Sequence, residues 1–279
     1  MLCADHIGAL SPSVALAAVA GATERLRLSP FVVNNDFRNP LLMAQEAATL
    51  DLLSEGRFEM ALGAGWNESE YQQAGITFDT ASVRIARLEE SVTILKRLFA
   101  GETVNHRGGH YAIEEHALAP APPQGDGLPI LIGGNGDKLL AVGARHGSII
   151  GLTGLKISPD GADFRNFTAT GAADRVEHIR REAGHRFEDI ELNSLVQRVI
   201  VTSDRRQAAR DVGAELAGSN GEGPTVDDCL NSPFLLLGTV GQIVEQLRQI
   251  REQLGISYFV VRADGSEAFD PVVEELAGH

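Results

Sequence analysis

An α/β barrel is the fold class this sequence predicts, on three observations. Short β-rich runs alternate with amphipathic helical stretches, the pattern of a parallel sheet with crossover helices. The 279 residues are 43% hydrophobic and 22% charged, enough for a full core, and no linker or composition shift separates the halves. Three strand candidates end in glycine, at the face where a parallel barrel binds its ligand. A single domain over residues 1–279 is expected.

Seven strands are predicted, at Leu2 to Ala4, Arg27 to Val33, Arg57 to Leu62, Pro129 to Ile132, Ser148 to Leu152, Glu191 to Val201 and Ser257 to Arg262. Ser11-Pro12 opens the first helix with an N-cap and a first-turn proline, and the helix stops near Gly21. Asn39-Pro40 opens a second that runs to about Leu53 and closes at Ser54-Glu55-Gly56. Ile85, Leu88, Val92, Leu95 and Phe99 recur at helical spacing, with Arg87, Glu90 and Lys96 elsewhere on the wheel. A similar stripe, Ile243 to Leu254, ends at Gly255, a left-handed C-cap. Two segments break the rhythm. Gly108-Gly109 lies between alternating runs within 102–115 and reads as an inserted hairpin. Gly218 to Pro233 is glycine- and proline-rich with few apolar residues, and reads as a loop that can cover a site. Together with Ser158 to Thr170 it is expected to line the substrate pocket.

The balance of 38 acidic against 24 basic residues gives a charge of -14, which repels phosphate backbones and anionic lipid. Nucleic acid and membranes are therefore not expected partners. No apolar run reaches the roughly 18 residues of a membrane span, and the first residues carry no signal-peptide pattern, so a cytoplasmic protein is expected. Cys3 and Cys229 stand alone in sequence and read as packing residues, with neither a disulfide nor a metal site. His106, His110 and His116 share no face and read as solvated surface.

The strand ends carry the chemistry. They are Asp5-His6, Asn34-Asn35-Asp36, Gly63-Ala64-Gly65-Trp66, Gly133-Gly134-Asn135-Gly136 and Gly151-Leu152-Thr153-Gly154. Glycine at three successive ends lets a flat or phosphorylated ligand approach main-chain N–H groups. Neither glycine run completes a dinucleotide fingerprint, and no phosphate-binding P-loop is present. An imidazole at the catalytic face, as at His6, is suited to exchange a proton with an alcohol, carbonyl or imine. Trp66 can wall a ring-shaped ligand, whereas Asp51 and Arg57, at the opposite end of their strand, are assigned to stability.

The run from Asn39-Pro40 through Leu50-Asp51-Leu52-Leu53-Ser54-Glu55-Gly56-Arg57-Phe58 into Leu62-Gly63-Ala64-Gly65-Trp66 resembles the luciferase-like monooxygenase superfamily. Arg84 with Leu88-Glu89-Glu90, Gly109-His110-Tyr111, Pro129 to Gly134, Leu237-Gly238-Thr239 and Leu254 to Tyr258 follow in that family's order. The resemblance spans nearly the whole chain and is nearest the actinobacterial branch that uses the deazaflavin coenzyme F420. It implies a TIM-like (β/α)8 barrel of the bacterial luciferase type, binding F420 or, alternatively, FMN at the strand ends, and a homodimer. It further implies a non-proline cis peptide between Phe31 and Val32. The cofactor-binding residues it implies are Asp5, Phe31, Val32, Asn34, Gly63, Ala64, Gly133, Gly134 and Gly151, with His6 catalytic in proton transfer and Trp66 in the substrate pocket. The sugar-phosphate dehydrogenase branch has a glutamate proton donor where Trp66 stands, a departure that counts against that substrate class. The family's Asp-His belongs to its second strand, so the first strand and helix, roughly 30 residues, are expected to be absent.

The function expected is hydride transfer between F420 and a small organic substrate. The alternatives are an FMN-dependent monooxygenase and a non-catalytic flavin-binding partner subunit with an incomplete barrel.

Overall fold

The computed structural model describes all residues except 159–160, 218–222 and 278–279. It comprises two compact units, Met1–Gly133 with Ala141–Ile149, and Gly134–Leu140 with Ile150–His279.

The first unit runs β1 (Leu2–Cys3), α1 (Pro12–Ala22), β2 (Ser29–Pro30), β3 (Val33–Asn34), α2 (Pro40–Leu53), β4 (Met60–Gly63), α3 (Glu68–Ala74), α4 (Ala81–Phe99), β5 (Val104–Arg107), β6 (Ala112–His116) and β7 (Ile130–Gly133). Apart from β5 and β6, its strands are parallel, as the alternation predicts: β1 pairs with β2, and β4 lies between β3 and β7. Among the described residues β2 is the one strand neighbour of β1. The predicted strand Arg27 to Val33 is two short strands, β2 and β3, and the Phe31–Val32 peptide between them is cis, as the resemblance implies.

Helix starts are where the sequence places them. Ser11 and Asn39 precede the prolines of α1 and α2, and Asn39 Oδ1 accepts the Leu41 N–H at 2.9 Å. The turn after α2 passes through Glu55 and Gly56 at φ 53° and 82°. Arg57 then closes the end of α1, donating to the carbonyls of Ala20, Thr23 and Leu26, while fully buried Asp51 accepts both the backbone and side-chain N–H groups of Gln124. Both are structural, though they do not pair with each other. On α4, Leu88, Val92, Leu95 and Phe99 are buried as the stripe predicts.

The predicted hairpin is the antiparallel pair β5–β6. It corrects the reading of His106 as solvated surface. Glu90 of α4 accepts from His106 at 2.9 Å, from the His110 N–H at 3.0 Å and from the Tyr111 N–H at 2.8 Å, so α4's polar face is the hairpin's dock.

Next in the chain come α5 (Asp137–His146) and β8 (Ile149–Leu152), then β9 (Lys156–Ser158), β10 (Gly161–Asp163), α6 (Ala169–Ala183), β11 (Glu191–Val196), β12 (Arg198–Val201), α7 (Arg205–Leu216), α8 (Val226–Asn231), β13 (Leu235–Gly238), α9 (Val240–Leu254), β14 (Ile256–Val261) and α10 (Ser266–Leu276). In the second unit β11 pairs with β14 and β12 with β13, all parallel. The core there is Val196, Leu236, Ile243, Val244, Leu247 and Val272, which includes Ile243, Val244 and Leu247 of the α9 stripe read from sequence. Thr239 and Gln242 cap α9 reciprocally, and Gly255 ends it at φ 71°.

Strand β13 was not among the seven predicted. The segment read as a loop, Gly218 to Pro233, contains the six-residue helix α8, opened by a Thr225–Asp228 capping box. Of that loop and of Ser158 to Thr170, residues 218–222 and 159–160 lie outside the described residues.

Candidate functional site

In the first unit the C-terminal ends of β1, β2, β3, β4 and β7 carry nine of the site residues implied from sequence: Asp5, His6, Phe31, Val32, Asn34, Gly63, Ala64, Trp66 and Gly133. The centre is the bulge at Phe31–Val32. A Cβ at Gly63 would lie 2.6 Å from Val32 Cγ2, and one at Gly133 would lie 3.2 Å from Val32 Cγ1. These two glycines therefore admit the Val32 side chain. This corrects the reason given for them, since it is a neighbouring side chain and not only a ligand that needs the space.

Asp5 is held by its surroundings. Arg38 meets its carboxylate through both guanidinium nitrogens, at 2.5 and 3.1 Å, and the Asn34 N–H donates to Oδ2 at 3.0 Å. A bidentate pair of this kind fixes both position and charge. His6, next in sequence, has a side chain 44% exposed and turns Nδ1 to Glu70 Oε1 at 2.7 Å. Glu70 lies on α3 with a side chain only 10% exposed, and its Oε1 also accepts from Asn67 Nδ2 at 2.8 Å. Trp66 is 62% exposed and meets the His6 ring edge-on, with centroids 6.2 Å apart.

Beneath these groups is a buried polar layer. Tyr71, fully buried, directs its hydroxyl at Asn34 Oδ1 and Asp36 Oδ2, both 3.1 Å away. Arg87 pairs with Asp36 at 2.8 Å, and Tyr111 accepts from Asn35 Nδ2 at 3.2 Å. Burial, reinforced by Asp36 and opposed by the Asn34 bond and Arg84, pushes the Tyr71 phenol up to about 12. Gly65 runs at φ 74°, and a Cβ there would fall 2.0 Å from the Tyr71 hydroxyl, so glycine is required. Arg84 donates to the Ala64 carbonyl at 3.2 Å and lies 4.0 Å above the Phe78 ring.

The residues predicted from sequence thus divide. Asp5, His6, Phe31, Val32, Gly133 and Trp66 are at least partly accessible, whereas Asn34, Gly63 and Ala64 are buried. Asn34 Oδ1, the Asn34 N–H and the Ala64 carbonyl are engaged inside the protein. Gly134 and Gly151 belong to the second unit, where the Gly134 N–H donates to the Gly151 carbonyl at 2.9 Å. Asn135 binds that turn, accepting from the Thr153 and Gly154 N–H groups and donating to the Leu155 carbonyl. Glu70, Arg38 and Tyr71 were not singled out from sequence. The spacing Asn67-x-x-Glu70 marks a helix start, and that reading hides the second role of the glutamate.

Among the described residues no helix is long and apolar enough to cross a membrane.

An F420-dependent glucose-6-phosphate dehydrogenase of Amycolatopsis mediterranei is 31% identical over 131 residues, covering 47% of this chain and 39% of that protein. The match therefore spans well under two thirds of that relative's length. An enzyme of the same description from Intrasporangium calvum is 26% identical over 269 residues, covering 90% of this chain and 78% of its own. Among solved structures, the coenzyme F420-dependent tetrahydromethanopterin reductase of Methanopyrus kandleri superposes with a TM-score of 0.72 at 16% identity, covering 93% of this chain and 83% of that one. That likeness establishes the fold, the luciferase-type α/β barrel class with its parallel strands and flanking helices. Residues 1–258 match the family described as luciferase-like monooxygenase, and the chain belongs to that family.

Proposed function

We propose that this protein is a cytoplasmic oxidoreductase that transfers a hydride between coenzyme F420 and a small organic substrate, with His6 handling the accompanying proton. The observation that carries this is the placing of an accessible imidazole at the strand end next to the Phe31–Val32 bulge. Relatives described as F420-dependent dehydrogenases support the choice of cofactor.

The residues fit a flat ring. Val32 is wedged between two strand ends that only glycine allows to approach it, which presents a half-exposed apolar surface bordered by backbone. When bound, the deazaflavin supplies a carbon that accepts or returns a hydride. Asp5, locked by Arg38, holds the β1 end in place. Trp66 offers a rigid wall for the substrate. His6 takes up the substrate's hydroxyl proton on oxidation and gives it back on reduction. Trp66 stands where a sugar-phosphate dehydrogenase carries its glutamate, so a substrate other than glucose 6-phosphate is proposed.

The deciding experiment is titration of the purified protein with oxidised F420 and with FMN, followed by fluorescence. Tight binding of F420 is expected. Binding of neither overturns the proposal, and binding without turnover across alcohols and carbonyl compounds favours a non-catalytic flavin-binding subunit. The family's monooxygenase description supports a second reading, an FMN-dependent monooxygenase. Oxygen uptake with reduced FMN would establish it, and none is expected.

The proposal includes a homodimer. Its support is α1, which is apolar on every side and leaves Val14 72% exposed, with Leu10 beside its start and Leu42 on the neighbouring α2 also bare.

A further inference from the structure

Glu70 is the feature of the site that the proposed reaction does not yet use. It is one of three carboxylates and hydroxyls at the start of α3, Glu68-Ser69-Glu70, and the one that is turned inward. A carboxylate with 10% of its side chain exposed needs partners, and Glu70 has two on a single oxygen, Asn67 Nδ2 at 2.8 Å and His6 Nδ1 at 2.7 Å. The Ser69 hydroxyl donates to Asn67 Oδ1 at 2.8 Å, which fixes the amide so that its NH2 faces Glu70. The carboxylate is therefore oriented before His6 meets it.

An ionised carboxylate only accepts, so the imidazole nitrogen facing it must carry a hydrogen. His6 makes no other side-chain hydrogen bond among the described residues. We propose that Glu70 is the positioning residue of His6: it holds the neutral ring in the Nδ1–H tautomer and leaves Nε2 as the one basic nitrogen open to a substrate. A helix-start role alone does not account for the geometry: the Glu70 backbone N–H reaches the Asn67 carbonyl as in any first turn, but its carboxylate bonds the Asn67 side chain and shares that oxygen with a residue 64 positions away. The catalytic consequence rests on the reading of His6 as the proton carrier, while the tautomer does not depend on it. A base in the wrong tautomer is catalytically silent even when its position is unchanged.

The test uses the full chain labelled with 15N on histidine, with the His6 signals assigned by loss in His6→Gln. Long-range 1H–15N spectra at a pH where the ring is neutral are expected to show Nδ1 protonated in the wild type. Glu70→Ala is expected to move His6 to a tautomer mixture dominated by Nε2–H, while Glu70→Gln, which retains an acceptor oxygen, keeps Nδ1–H and so guards against a folding artefact. With F420 and a turned-over substrate, kcat is expected to fall roughly ten- to a hundredfold in Glu70→Ala, with F420 affinity unchanged and partial rescue by glutamine. Nε2–H in the wild type, or a tautomer indifferent to Glu70→Ala, overturns the proposal. A tautomer change with no loss in kcat overturns its catalytic half. Failure to bind F420 at all would overturn the proposed function and leave the tautomer result standing.

Discussion

Tyr71 shows how far one side chain underneath the site is committed. Its hydroxyl has one hydrogen and two acceptors in reach, Asn34 Oδ1 and Asp36 Oδ2, and its ring is packed between Phe37 and Phe78. A phenolate there would be buried away from water, would lose the bond to Asp36 and would face its charge, and these outweigh the Asn34 bond and Arg84, so the proton is retained to about pH 12. The folded value lies above the ordinary value of 10, so the contribution of Tyr71 to stability is complete below pH 10 and is lost as pH rises towards 12. Subtracting the ultraviolet titration of Tyr71→Phe from that of the wild type isolates this one phenol. It is expected to ionise about two units late, and ionisation near pH 10 in the folded protein would contradict the buried network. The same scale explains what sequence reading could and could not find. His6 and Trp66 were legible because a lone imidazole and a lone indole at strand ends are chemically conspicuous. Glu70, Arg38 and Tyr71 were not, because carboxylates, guanidiniums and phenols are common on any helix or turn, and only tertiary placement decides which of them turn inward.

At the scale of elements, Glu90 of α4 holds the hairpin β5–β6 through three hydrogen bonds. Burial pushes the Glu90 carboxyl up, but the His106 bond, the Tyr111 and His110 amides and the His106 charge outweigh it, and it titrates below its ordinary value. A depressed carboxylate stabilises the fold above its unfolded value near 4.5 and loses that contribution as pH falls through the lower folded value. Amides of residues 104–116 are expected to lose protection, relative to their intrinsic exchange rates, as pH falls below 4.5, while those of α4 stay protected. Glu90→Ala is expected to reproduce the loosening at pH 7 at a cost of about 1–3 kcal/mol, read from urea unfolding; an unchanged hairpin would show that the β5–β6 ladder stands without its dock. Helix ends were legible because Asn39-Pro40, Ser54-Glu55-Gly56 and Gly255 have local reasons to be where they are. Three strands were misjudged for the opposite reason. Leu235-Leu236-Leu237 has no β-branched residue to distinguish a buried strand from helix, and the breaks at Phe31–Val32 and Gln197 answer to neighbours distant in sequence. Gln197, for example, donates its N–H to the Phe234 carbonyl at 2.8 Å and its side chain to the Thr153 carbonyl at 3.0 Å.

For the whole molecule, composition sets two opposing tendencies. A charge of -14 makes copies of the chain repel one another, most strongly at low ionic strength, where the screening length is about 30 Å at 0.01 M against about 10 Å at 0.1 M. The opposing term is local. Among the described residues α1 carries no charged side chain, it is tied to α2 through the Ser13–Glu46 hydrogen bond at 2.6 Å, and Leu10, Val14 and Leu42 are each more than half exposed. Burying an exposed aliphatic side chain of this size contributes about 1.5–3 kcal/mol, so a few such residues from each of two copies supply a meaningful part of the affinity. A homodimer through this face is therefore expected to tighten as salt rises from 0.01 to 0.15 M, the reverse of an association held by opposite charges. Sedimentation velocity at micromolar concentration is expected to show the dimer at 0.15 M salt. Val14→Asp and Leu42→Asp place new carboxylates on a surface already exposed, so each should leave the unfolding midpoint nearly unchanged and shift the protein to monomer. A wild type that sediments as a monomer across that range removes the dimer, and a dimer indifferent to both substitutions places the contact on another face.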